Sequence, residues 1–187
     1  MADQVSFTRM ADGTREDYLL VVKAERGYGE GLGDRLLAEL VRSGDVPGPW
    51  KVTRYEHALQ TATRALRDGA DEETCVIALL HDVGDALAPA NHSEFAASAL
   101  RPYVSERNHW IVKHHGLFQG YYYFHHLGMD RHARDRYADN PHYDATVAFC
   151  EEWDQAAFDP SYESEPIEVF TPMVRAVFSR EPNFNFE

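Results

Sequence analysis

Val76-Ile77-Ala78-Leu79-Leu80-His81-Asp82-Val83-Gly84-Asp85 decides how this chain is read. Five consecutive apolar residues carry a histidine and an aspartate, side by side, to the end of a helix that should be interior. A buried, unpaired carboxylate costs several kcal/mol or is forced to take up a proton. A metal ion removes that cost, because neutral imidazole and carboxylate are ordinary ligands for iron, manganese and zinc. One His-Asp pair arises often by chance. Its meaning depends on the partners that the rest of the chain supplies.

The chain has 187 residues, 44% of them hydrophobic, which suits one domain with a real core. Its boundaries are expected at 1–48 for an N-terminal helical segment packing on the core and 49–187 for the core domain. No apolar run approaches the ~20 residues of a membrane span, so no membrane partner is expected. Met1-Ala2-Asp3-Gln4 lacks a basic, apolar leader pattern, and a cytoplasmic location is expected. Cys75 and Cys150 are the only cysteines, both in apolar helical surroundings, and are expected as buried free thiols. The formal charge of −13 argues against nucleic-acid binding. Ten histidines, all between His57 and His142, are a dense set for an acidic chain. A cation-binding centre accounts for them.

No stretch alternates as a strand does, and helical signals follow one another throughout, so the class is all-α, with seven to nine helices. Between Gly13 and Arg42 the apolar faces are Tyr18-Leu19-Leu20-Val21-Val22 and Leu32, Leu36, Leu37, Leu40 and Val41. Gly27, Gly29, Gly31 and Gly33 read as flexible connection there. Ser43 to Pro49 is a breaker segment. A helix runs from about Val52 to Arg67, with His57, Thr61 and Arg64 on one side. Asp71 caps the helix that delivers His81 and Asp82, which Gly84 ends. Asn91-His92-Ser93-Glu94 has the form of a capping box. Ser105 caps a helix bearing His114 and His115, with Gly116 as its stop. Asn140-Pro141 opens a helix to about Ala157, and Pro166 a last one to Phe178 with Val169, Phe170, Met173, Val174 and Val177 inward.

The candidate ligands are then His57, His81, Asp82, His92, His115 or His114, and Asp154, each on a different helix or helix end except the central pair. His57 and His81 are 24 residues apart, which fits two antiparallel helices joined by a short loop. Helical periodicity leaves His114 and His115 equivalent.

The order His…His-Asp…Asp resembles the HD-domain superfamily, a helical bundle with a metal site in its core. The likeness is closer to its mixed-valent di-iron oxygenases, which include myo-inositol oxygenase and the oxygenases that cleave the C–P bond of 1-hydroxyphosphonates. The segments that carry it are Glu56–Ala62, Ala78–Gly84, His92–Ala97, Val112–Phe118, and Asn140–Tyr143 with Trp153-Asp154. The resemblance implies a dinuclear centre of Fe(II) and Fe(III) with O₂ as co-substrate. His57, His81, Asp82 and Asp154 would hold one iron. Asp82, the central catalytic group, would bridge to a second held also by His92 and His115, the resemblance favouring His115 over His114. It implies oxidative C–P cleavage of a 1-hydroxyphosphonate to a carboxylic acid and phosphate. The alternative is a metal-dependent HD phosphohydrolase acting on a nucleotide or small phosphate ester, by metal-activated water.

Departures from the relatives bear on the substrate. A lysine four residues after the last histidine ligand is Gln119 here, and a basic residue or histidine three after the bridging aspartate is Asp85. Asp85, Glu151 and the Tyr121-Tyr122-Tyr123 run would suit a quaternary ammonium group, and Arg54, Lys113 and Arg131 an anionic one. The expected partner is a zwitterionic or anionic small molecule such as 1-hydroxy-2-(trimethylammonio)ethylphosphonate, with glycine betaine and phosphate as products. Arg54, Asp85, Lys113, Gln119 and Tyr122 are the expected substrate contacts.

Overall fold

A computed structural model describes residues 4–183. Among them are eight α-helices and no strand: α1 (Arg15–Glu30), α2 (Leu32–Ser43), α3 (Arg54–Arg67), α4 (Glu72–Leu80), α5 (His92–Leu100), α6 (Glu106–Tyr123), α7 (Tyr143–Ala148) and α8 (Ile167–Phe178). The all-α expectation holds. Short 3₁₀ turns follow α6, and a π-helical turn, Phe149–Asp154, continues α7. No helix among the described residues is long and apolar enough to cross a membrane.

α4 is the axis of the bundle. Asp71 starts it, its carboxylate accepting from Thr74 N–H at 2.7 Å. From Thr74 to Leu80 every residue is buried, so the helix is apolar all round, as a central helix must be. α3 lies against it through Ala58, Ala62 and Ala65, all fully buried. Their i, i+4, i+7 spacing makes a stripe of small side chains, which lets the two helices approach closely. A capping box fixes the start of α3, with Glu56 N–H donating to Thr53 Oγ1 and Thr53 N–H to Glu56 Oε2. Phe170, Val174 and Val177 of α8 close another side of the core, and Leu36, Leu37 and Leu40 of α2 join the same cluster.

Several local expectations are corrected. Gly27 and Gly29 lie inside α1, and only Gly31 falls at a junction. The apolar run of α1 does not enter the core: Leu19 and Val22 are exposed, and the buried residue is Asp17, which accepts from Ser6 and Thr14. Val41 and Val169 also face outward. Asn91 is the N-cap of α5 but makes no side-chain cap, because its backbone (φ −148°, ψ 35°) leaves the geometry that capping needs; Glu94 pairs with Lys113 instead. Gly116 does not stop α6, which runs on to Tyr123. A Cβ there would lie 2.9 Å from Ser93 Oγ, so Gly116 serves the close approach of α6 to the start of α5. Asn140 forms a turn with His142 N–H rather than a helix start, and the helix that follows is α-helical only to Ala148.

Glu73, at the start of α4, ties three parts of the bundle together. Its carboxylate accepts from Ser105 N–H at 2.7 Å, Asn108 Nδ2 at 2.9 Å and Arg180 Nη1. Burial pushes its pKa up, but the Ser105 amide, Arg180 and Asn108 outweigh that and hold it below the ordinary value. A carboxylate so lowered stabilises the fold above its unfolded pKa of about 4.3, and the contribution is lost as pH falls through the folded value. Glu73→Gln is therefore expected to cost about 1–2 kcal/mol at pH 7, and thermal melts should show the deficit shrinking toward pH 3.

Candidate metal centre

Three histidine rings converge beneath the C-terminal end of α4, each held by its Nδ1. His57 Nδ1 lies 3.0 Å from Ala157 O, His81 Nδ1 2.9 Å from Ala78 O, and His115 Nδ1 2.7 Å from Val112 O. A carbonyl oxygen only accepts, so each Nδ1 carries the proton and each Nε2 presents a lone pair. The Nε2 atoms of His57 and His81 face each other at 3.2 Å. Two lone pairs at that distance repel unless a proton or a metal ion lies between them.

Carboxylates complete the arrangement. Asp154 Oδ1 is 3.3 Å from His57 Nε2 and 3.7 Å from His81 Nε2, while its Oδ2 is buried without a partner. Asp82 faces both ways. Its Oδ2 is 3.5 Å from the Nε2 atoms of His57 and His81, and its Oδ1 is 3.0 Å from His115 Nε2 and 3.5 Å from His92 Nε2. Ligand atoms bound about 2.1 Å from one ion lie about 3.0–3.4 Å from each other at tetrahedral or octahedral angles, so these spacings fit coordination. The donor atoms of His57, His81 and Asp154 fall within 4.8 Å of one another, as do those of His81, Asp82 and His115; either group could hold a metal ion. His92 stands further out and is partly exposed.

The electrostatics agree. Burial disfavours the charged rings of His57 and His81, yet the neighbouring aspartates outweigh it and raise both pKa values. Burial likewise works against Asp82 and Asp154, and the surrounding histidines overcome it, holding both carboxyls well below the ordinary range. Anionic carboxylates among lone-pair nitrogens make a pocket for a cation. For His92 burial prevails and the pKa falls, which favours the neutral, ligating ring.

The backbone explains how these groups meet. α3 and α4 place His57 and His81 from neighbouring helices, and the turn after α4 adds Asp82. The start of α5 supplies His92. His115 lies on the buried face of α6, whereas His114, one residue earlier, is turned away, stacked on Trp110 at 3.8 Å and bonded to its carbonyl. Asp154 comes from the π-helical turn, closed by the i→i−5 bond from Gln155 N–H to Cys150 O at 3.0 Å. Buried Cys150 sits under His115, its Sγ 3.6 Å from His115 O, with its thiol pKa pushed well up by burial.

A cavity of about 410 Å³ opens onto this cluster. Arg54, Asp85, Gln119 and Tyr122 line it. Arg54 is ion-paired with Asp85 across it, and Gln119 Oε1 is buried without a partner. Lys113 is not part of the wall: it is paired with Glu94 at 3.1 Å on the outer side of α6. Tyr121 is also outside, covered by the guanidinium groups of Arg131 and Arg134 at 4.2 and 4.0 Å. Trp50, Tyr123 and Phe158 complete the wall, Phe158 stacking on His57 at 4.4 Å and lying 5.0 Å from Trp50. Trp50 and Phe158 stand in irregular segments where no periodicity marks them. The Pro47-Gly48-Pro49 break before Trp50 was the one local signal that an aromatic residue sits on a constrained loop.

The HD domain family matches residues 54–152, just over half of the chain. The chain belongs to the HD-domain family, whose members are typically metal-dependent enzymes of phosphohydrolase type. No curated protein matches it significantly.

Saturating divalent metal is expected to raise the melting temperature, since a ligand at a hundred times its Kd adds about 2.7 kcal/mol. In equilibrium dialysis against Mn(II), His81→Ala, which removes the donor common to both groups, should abolish binding, whereas His92→Ala should retain it.

Proposed function

We propose that the chain is a di-iron oxygenase that cleaves the C–P bond of a 1-hydroxyphosphonate. The observation that carries this reading is Asp82, with one oxygen toward His57 and His81 and the other toward His115 and His92. In it, His57, His81, Asp82 and Asp154 hold one iron, and Asp82, His92 and His115 the other. When bound, an Fe(II)/Fe(III) pair supplies O₂ activation and Lewis acidity at the cavity floor. Both oxygens of O₂ appear in the products: R–CH(OH)–PO₃²⁻ and O₂ give R–COO⁻, HPO₄²⁻ and a proton.

The chain's own groups bind, orient and exclude water. Arg54 is the guanidinium available to the phosphonate, and Gln119 Oε1 an acceptor for the substrate hydroxyl. Trp50, Phe158 and Tyr123 form an aromatic wall that keeps water from the cluster and offers ring faces to a quaternary ammonium group. Asp85 adds the matching negative charge, and Tyr122 lines the same cavity. These features support a zwitterion such as 1-hydroxy-2-(trimethylammonio)ethylphosphonate, with glycine betaine as the acid product.

Membership in the HD family favours a second reading, a metal-dependent phosphohydrolase in which Arg54 binds a phosphate ester. Oxygen dependence separates the two. Iron-loaded, partly reduced protein should release phosphate from the hydroxyphosphonate only when O₂ is present, with one O₂ consumed per phosphate. Anaerobic phosphate release from a nucleotide or phosphate ester, without release from the phosphonate, would establish the hydrolase instead.

A further inference from the structure

The loop between the π-helical turn and α8 runs along α3 and is tied to it at three levels. His57 Nδ1 donates to Ala157 O at 3.0 Å, Gln60 engages Asp159, and Thr63 Oγ1 accepts from Glu165 N–H at 3.0 Å. Gln60 makes the middle tie with two bonds. Its Nε2 donates to Asp159 O at 2.7 Å and its Oε1 accepts from Asp159 N–H at 3.2 Å, so one amide meets both main-chain groups of one residue. An amide side chain suits this task because it carries a donor and an acceptor on one planar group. Gln60 is buried and stands one turn of α3 beyond His57. The carboxylate of Asp159 takes no part, since it accepts from Ser161 N–H at 2.9 Å and Ser161 Oγ at 2.7 Å.

The segment that Gln60 holds bears on two candidate ligands at once. Ala157 supplies the carbonyl that fixes the His57 ring, and its N–H donates to Asp154 O at 3.1 Å. Phe158 stacks on the same ring at 4.4 Å. The path from His57 through Ala157, Phe158 and Asp159 back to Gln60 closes over a single turn of α3. We propose that Gln60 is a positioning residue for the metal centre, setting the His57 ring and the main chain at Asp154 relative to each other. The proposal rests on reading His57, His81 and Asp154 as a metal site, and not on the choice between oxygenase and hydrolase. An acceptor on the outer nitrogen of a ligating histidine fixes the ring's tautomer and orientation, and losing such outer support typically lowers metal affinity 10–100-fold. Asp159 is exposed, so without the amide its main-chain groups turn to water and the Ala157 carbonyl is no longer pinned beneath the ring. Further along, Thr63 still holds Glu165, and Arg64 and Arg67 still cover the Tyr162 ring at 4.1 and 5.2 Å, so the loosening is local.

Two matched variants of α3 test this without any turnover. Gln60→Met removes both bonds to Asp159, while Thr63→Val removes the bond from another buried side chain of the same helix to the same loop, away from His57. In equilibrium dialysis against Mn(II), Gln60→Met should weaken binding about 10–100-fold. Thr63→Val should bind as wild type does, although both variants melt at lower temperature. By NMR of the Co(II)-loaded proteins, one shifted imidazole N–H proton should exchange with water faster in Gln60→Met than in wild type or Thr63→Val. A Gln60→Met protein with wild-type affinity, or with every imidazole N–H exchanging as in wild type, would overturn the proposal. Equal weakening by both variants would overturn it too, because general loosening of the loop would then be the cause. A wild type that binds no metal would overturn the metal-site reading beneath it, and the proposal with it. Should Gln60→Met not hold the fold by circular dichroism, Gln60→Asn, whose amide is one methylene shorter, gives the same readout.

Discussion

Two imidazole lone pairs brought within 3.2 Å of each other, with two aspartates alongside, make the constraint on which this structure depends. Main-chain carbonyls fix the outer nitrogens of both rings, so neither ring can turn its protonated nitrogen inward without abandoning a buried carbonyl. A positive charge between them is the inexpensive solution. The helices are arranged accordingly. α4 is apolar all round because it must run through the centre of the bundle to bring His81 and Asp82 to that point, and the alanine stripe of α3 lets His57 come close enough to meet them.

The same geometry separates what is rigid from what is adjustable. His57, His81 and Asp154 are almost wholly buried, and their positions are set by backbone. Asp82 and His92 lie nearer the cavity, and their neighbours are side chains from different elements.

Much of this was legible in the sequence because the signals were local or periodic. The buried run before His81, the caps at Asp71 and Ser105, and the inward face of α8 at Phe170, Val174 and Val177 follow from helix physics alone. His114 and His115 could not be separated that way, since adjacent residues differ by about 100° around a helix and the decision belongs to packing against Trp110. Gly116 was misleading for a related reason. Glycine ends helices when a left-handed residue is needed, but here it admits a neighbouring helix, and only the tertiary fold distinguishes the two uses. The cavity wall was the least legible part. Trp50 and Phe158 come from irregular segments far apart in the chain, and Lys113 shares its helix with His115 while facing the opposite way.

The π-helical turn at Phe149–Asp154 carries one residue more per turn than the helix it continues. That surplus lets Phe149 and Cys150 stay in the core while Asp154 still comes around to His57. Seen as a matter of chain length, the segment is an insertion that the fold has absorbed without a loop. The spacing from Phe149 to Asp154 is thus as much a part of the centre as its carboxylate.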